Sequence, residues 1–234
     1  IANKHNLMVI EDAAQAVNSF YKDSPLGSIG DFGCFSFHET KNIQCGEGGL
    51  LAIKNPKHKK RAEIIWEKGT NRSAFWRGEV DKYKWVDIGS SFLPSEINAA
   101  FLYAQLEELN NIQNMRKAIW VQYYNGLKKL KKIGVKLPNI PSYATNNAHM
   151  FYLVCRSGKE RTNLIQYLKK NQVNAVFHYI CLHDSPYYKE KHDGRKMTNA
   201  KRYEDSLIRL PLWASMGQSE INSVIKNVNS FFLK

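Results

Sequence analysis

Cysteine is scarce in this 234-residue sequence: four, at positions 34, 45, 155 and 181. No two stand in C-x-x-C spacing and the seven histidines are scattered, so the sequence shows no metal site. So few cysteines point to free thiols in a reducing compartment. No apolar run approaches the roughly 18 residues a membrane span needs. No secretory leader pattern is visible either. The expectation is a cytoplasmic protein without a membrane partner. Internal repeats and low-complexity tracts are missing. Acidic residues are the scarcer charge, 21 against 34 Lys and Arg, which leaves a net charge of +13. That balance favours anionic partners: nucleic acid, acidic lipid or phosphorylated small molecules. With 43% hydrophobic and 24% charged residues, whole-chain disorder, a collagen repeat and a coiled-coil rod are excluded. An initiator methionine is also missing. The chain opens Ile1-Ala-Asn-Lys-His5, a helix end running into a strand, and reads as a piece of something longer.

What is present alternates strand and helix. Leu7-Met-Val-Ile10 predicts a buried strand that ends in Glu11-Asp12 before the helix-prone Ala13–Val17. Acidic residues at a strand end suit an α/β ligand site. Gly27, Gly30 and Gly33 punctuate a turn region, Cys34–Phe37 alternates like a strand, and Gly46-Glu-Gly-Gly49 is a tight turn before a strand at Leu50–Ile53. A helix follows to about Lys68. Residues 69–93 read as one long loop, an uncommon length unless functional. From Pro94 an apolar stripe of Leu102, Leu106, Leu109, Ile112, Met115, Ile119 and Tyr123 predicts a single long helix connecting two lobes. Beyond Pro141 come a strand at 149–154, a helix marked by Leu164 and Leu168, a strand at 173–179 and a last helix capped by Ser219. The division is 1–110 and 111–234, the second part being a long connecting helix and a small α+β lobe.

Asp12 at a strand end, Ser36 before a turn and Lys41 five residues later form a constellation. They match the needs of pyridoxal phosphate: an amine for its aldehyde, a carboxylate for the pyridine nitrogen, and a hydroxyl for the phosphate. The segments Glu11-Asp-Ala-Ala-Gln15, Phe35-Ser-Phe-His-Glu-Thr-Lys-Asn42 and Gly46-Glu-Gly-Gly49 resemble the DegT/DnrJ/EryC1/StrS sugar aminotransferases. Lys68-Gly-Thr-Asn-Arg72, Arg77-Gly78, Val80-Asp-Lys-Tyr83, Asn147-Ala-His-Met-Phe-Tyr152 and Phe177-His-Tyr179 resemble in particular the dTDP-4-amino-4,6-dideoxygalactose transaminases.

The resemblance implies the α/β fold of the type I, aspartate aminotransferase-like transferases. This chain would hold the C-terminal part of the large lobe and the small lobe. It implies pyridoxal 5'-phosphate as cofactor and amino transfer from L-glutamate to C4 of dTDP-4-dehydro-6-deoxy-D-glucose. It also implies a homodimer with shared active sites. Lys41 would carry the covalent link, Asp12 face the ring nitrogen, Gln15 the ring oxygen, and Ser36 the phosphate. His149, His178, Tyr179 and His183 are candidates for the nucleotide sugar, with structural histidines an equal reading of the three imidazoles. The family pattern has proline at position 181, where this chain has Cys181. Other readings are a different keto-sugar nucleotide, an inactive fragment, a sugar dehydratase (against which Lys41 argues) and a basic nucleic-acid-binding protein, whose motifs are missing.

Overall fold

The structure, a computed structural model, describes residues 1–233. The chain divides into two compact units. The first holds Ile1–Asn110 and Ser142–Asn147; the second holds Asn111–Pro141 and the described residues from Ala148 onward.

The first unit is built on a three-stranded sheet of β1 (Ile10–Asp12), β4 (Phe32–Ser36) and β5 (Gly49–Ile53), with a two-stranded hairpin of β2 (Phe20–Tyr21) and β3 (Ser24–Pro25) between the first two. The sheet order is β1-β4-β5, with β1 parallel and β5 antiparallel to β4. The first strand lies further along the chain than the apolar run predicts. Leu7 and Ile10 are 60% and 67% exposed. Hydrophobicity marks this strand's neighbourhood, but burial does not follow from it here. Gly33 and Gly27 show why the segment is glycine-rich. A Cβ at Gly33 would overlap the Gly27 carbonyl, and Gly27 itself has φ +87°, a conformation that L side chains rarely adopt.

Asn55 accepts the Lys57 N–H at 3.0 Å and opens a 3-10 turn that runs into α1 (Lys59–Trp66). The expected long loop contains a short helix, α2 (Arg72–Trp76). It is ordered by Asn71 Oδ1, which accepts the Lys84 N–H at 2.8 Å, and by Arg77, whose guanidinium reaches both Glu63 oxygens. The expected single long helix is two: α3 (Glu96–Glu107), capped by Ser95, and α4 (Leu109–Leu127), separated at Glu108. No residue of α3 is buried, and Leu106 of the predicted stripe is 43% exposed. Residues 142–147, assigned by the sequence to the second part, return to the first unit. There Thr145 Oγ1 accepts the Phe20 N–H at 2.8 Å and Tyr143 O accepts the Lys22 N–H at 2.8 Å.

In the second unit α4 is followed by β6 (Phe151–Val154), α5 (Gly158–Lys170), β7 (Val176–Phe177), α6 (Thr198–Ser206), β8 (Leu207–Leu210) and α7 (Gln218–Phe232). The sheet is antiparallel in the order β6-β8-β7. The strand expected at 173–179 is only two residues long, and β8 has no counterpart in the sequence reading. Tyr123, Phe151, Leu153, Leu164, Leu168 and Ile208 are fully enclosed in one core. The Tyr123 hydroxyl donates to Pro211 O at 2.8 Å, so the largest buried polar tip is satisfied. Helix α7 is capped at Gly217 rather than Ser219; the Glu220 carboxylate accepts the Gly217 N–H at 2.7 Å. Among the described residues no helix is long and apolar enough to cross a membrane.

Candidate active site

The site in the first unit is organised by the parallel pair β1–β4. Asp12 pairs with Cys34, and Ser36 follows two residues on, so the three side chains share one face of the sheet. Asp12 and Ser36 close their strands at the same, C-terminal end, where α/β sheets receive ligands. Glu11 points to the opposite face. Its carboxylate accepts three backbone N–H groups, from Gly27 at 2.8 Å, Ile29 at 2.7 Å and Gly30 at 2.6 Å. Partial burial works against ionisation, but the amides of Gly30, Gly27 and Ile29 and the charge of Lys54 outweigh it and hold the Glu11 carboxyl below its ordinary range.

Asp12 is exposed, and its Oδ1 accepts the Ala14 N–H at 3.1 Å, which forms the turn toward Gln15. The exposed Gln15 has its backbone carbonyl held by Asn147. After β4 the chain makes a tight excursion. His38 N–H donates to Ser36 Oγ at 3.3 Å, Lys41 N–H to His38 O at 2.9 Å, and Cys45 N–H to Phe37 O at 2.9 Å. Lys41 is half-buried, and its amine has no ion pair or hydrogen bond among the described residues. Its neighbour Ile43 is fully buried and anchors the excursion.

The four other candidates lie in the second unit. The His149 carbonyl accepts Arg116 at 2.7 Å. His178 follows β7; burial and then the Arg209 charge push its pKa down, and its Nδ1 is buried without a hydrogen-bond partner among the described residues. Its ring lies 5.2 Å from Tyr179, which is 76% exposed. His183 stands apart from these, its ring 5.1 Å from that of His192. Cys181, in place of the family proline, donates its N–H to Glu204 at 3.0 Å. Burial and the Glu204 carboxylate push its thiol up to about 11. No group of three or more His, Cys, Asp or Glu among the described residues is placed to hold a metal.

Sequence reasoning missed the polar residues that hold the site segments: Asn42, Arg116 and Asn147, all buried. Arg116 does carry a signal, since a cationic residue interrupts the apolar stripe of α4.

Residues 1–229 match the DegT/DnrJ/EryC1/StrS aminotransferase family, and the chain belongs to it. An uncharacterized protein of Methanocaldococcus jannaschii, MJ1066, is 29% identical over 97% of this chain and 61% of its own length. The spore coat polysaccharide biosynthesis protein SpsC of Bacillus subtilis is 28% identical, over 97% of this chain and 60% of its own. The chain thus spans about three fifths of the length of these curated relatives. Among solved structures, the PLP-form of the putative sugar aminotransferase Spr1654 from Streptococcus pneumoniae is 26% identical with a TM-score of 0.83, covering 96% of this chain and 57% of that one. The α/β fold is that of the type I pyridoxal phosphate-dependent transferases, and pyridoxal phosphate is the family's cofactor. The donor set fits that group: an exposed carboxylate, a hydroxyl on the same sheet face, and an uncommitted amine in the adjoining bend.

Proposed function

We propose that the protein is a pyridoxal phosphate-dependent sugar aminotransferase. It takes the amino group of L-glutamate to C4 of dTDP-4-dehydro-6-deoxy-D-glucose and forms dTDP-4-amino-4,6-dideoxy-D-galactose. It works in the cytoplasm as a homodimer that shares its active sites. The observation that carries the reading is the half-buried Lys41, whose amine has no ion pair or hydrogen bond among the described residues, in the bend that follows Ser36 on the strand paired with Asp12's. The likeness to SpsC, a spore coat polysaccharide biosynthesis protein, supports a sugar substrate. The net charge of +13 suits a diphosphate-bearing one.

Each residue has a task in this reading. The Lys41 amine would hold the cofactor through its aldehyde carbon, and its Nζ, when free, would take the proton from the donor's Cα. The Asp12 carboxylate would face the pyridine nitrogen and favour its protonated form. When bound, the cofactor supplies an electron sink for the pair left at Cα. Ser36 Oγ accepts from His38, which leaves its O–H to donate to the phosphate. Gln15 contacts the ring oxygen, while His149, His178, Tyr179 and His183 contact the nucleotide sugar.

Borohydride reduction of the full-length protein with pyridoxal phosphate, followed by peptide mapping, tests the assignment. The pyridoxyl adduct is expected on Lys41. An adduct on Lys68 or Lys54 instead would overturn the mechanism; Lys54 already donates to Ile29 O at 2.9 Å.

A further inference from the structure

The segments that carry the cofactor candidates are joined by a side chain from far along the chain. Asn147 Nδ2 donates to Gln15 O at 2.8 Å and to Val17 O at 3.0 Å, across sequence separations of 132 and 130 residues. The Asn147 carbonyl in turn accepts Asn42 Nδ2 at 2.7 Å. Asn147 and Asn42 are only 7% and 8% exposed. One amide therefore spans two carbonyls of the turn that follows Asp12, and its backbone takes up the residue next to Lys41. All of these groups lie in the first unit.

We propose that Asn147, together with Asn42, is a positioning residue of the cofactor site. It sets where Gln15 stands relative to Lys41. The inference rests on the reading that these two residues hold pyridoxal phosphate. Three physical points carry it. The two N–H groups of a single planar amide fix the Gln15 and Val17 carbonyls against each other, which a flexible donor such as lysine would not do. The bonds to the Gln15 and Val17 carbonyls are part-buried and the Asn42 bond is buried, so a lost donor leaves carbonyls with restricted access to water. Displacements of about 1 Å at a covalently held cofactor are enough to degrade its alignment.

The substituents that separate positioning from mere packing follow from the same geometry. Asn147→Asp keeps the shape, removes both donors and turns a carboxylate toward two carbonyl oxygens. Asn147→Ala removes the donors and leaves a cavity. Asn42→Ser removes the bond to Asn147 O. Asn229→Ala serves as the control, because Asn229 Nδ2 also donates to a single backbone carbonyl, Gly126 O at 3.0 Å, but in the second unit.

The experiment uses the full-length protein. It measures the dissociation constant for pyridoxal phosphate and the pH midpoint of the bound cofactor's visible absorbance band, with thermal melting by circular dichroism alongside. Asn147→Ala is expected to weaken cofactor binding about tenfold and to displace the pH midpoint, with Asn147→Asp worse than Ala. Asn42→Ser should move both in the same direction by less, and it carries the test if neither Asn147 variant folds. Asn229→Ala should lower the melting temperature and move neither readout. Folded Asn147 variants, or Asn42→Ser where those do not fold, with wild-type cofactor binding and pH midpoint would overturn the inference alone. So would a control that shifts them equally. A wild type that yields no borohydride-trapped adduct on Lys41 removes the underlying reading and this inference with it.

Discussion

Glu11 and Asp12 are adjacent in β1 and point to opposite faces of one sheet, the first fastened to three backbone amides and the second exposed. The fastened carboxylate fixes the strand's rotation, and the exposed one is presented as a consequence. An apolar residue at position 11 would pack but would leave the Gly27, Ile29 and Gly30 amides without that acceptor.

Glu11→Gln should therefore destabilise the protein by about 2 kcal/mol, since the neutral amide keeps one acceptor oxygen and loses the charge-assisted bonds. The pH dependence has a definite sign. The folded carboxyl is held below its ordinary value, so its stabilisation is complete above the unfolded pKa of about 4.3 and is lost as pH falls through the lower folded value. Urea unfolding at neutral pH and at successively lower pH should show the wild type converging on the variant.

Asp12→Asn separates charge from shape. The Asn side chain still offers an oxygen to the Ala14 N–H, now at 3.1 Å from Oδ1, so folding should be unchanged to within about 0.5 kcal/mol. On the proposed function, amino transfer by the full-length protein should fall by about 10² or more, because the ring nitrogen would lose the charge that holds its proton. Stopped-flow kinetics of the half-reaction with L-glutamate, beside urea unfolding, checks both. Wild-type rates would remove Asp12 from the site.

Arg116 donates to Ala148 O at 3.2 Å and to His149 O at 2.7 Å, and Ala148 is fully buried with φ +52°. Burial lowers the guanidinium pKa to about 10, so it remains charged at neutral pH. Replacing it with Met relieves the buried charge but removes the donor to the buried Ala148 carbonyl and to the part-buried His149 carbonyl. The second effect should win, with a loss of about 2–4 kcal/mol in chemical denaturation. Arg116→Lys should recover part of it.

Glu204 fastens the segment after β7. It accepts the Cys181 N–H at 3.0 Å and Lys201 Nζ at 3.0 Å. The Cys181 amide leads in holding the Glu204 carboxyl down to about 2, against the opposing effect of burial and with help from Lys201. The attachment should be complete above pH ~4.3 and release as pH falls toward the folded value. Glu204→Gln should increase protease cleavage within residues 182–197 at neutral pH, while the core around Phe151 keeps its protection in hydrogen exchange. Equal cleavage in wild type and variant would mean that the segment is held elsewhere.

The elements that were legible in the sequence are those whose signal is local. Strand β5 follows a glycine turn, and α7 repeats Ile221, Val224 and Val228 on one buried face. Where local pattern and burial part, the reading slips. The apolar Leu7–Ile10 run is exposed, so it marks neither the strand's bounds nor the core. Strand β8 reads Leu-Ile-Arg-Leu and lacks alternation, because three of its four side chains are buried. The candidate residues Asp12, Ser36 and Lys41 lie within 30 positions of one another, whereas Asn147 acts on Gln15 over a separation of 132 residues, which no window along the chain can reveal.

That separation also orders events during synthesis. Residues 142–147 complete the first unit, but Asn111–Pro141 of the second unit lie between them and the rest of it. A ribosome releases the turn at Gln15 and the bend at Lys41 long before Asn147 emerges. Until then the Gln15 and Val17 carbonyls and the Asn42 amide have no Asn147 to bind. The turn at Gln15 and the bend at Lys41 of a nascent chain therefore reach their final form late, however early the strands beside them pair.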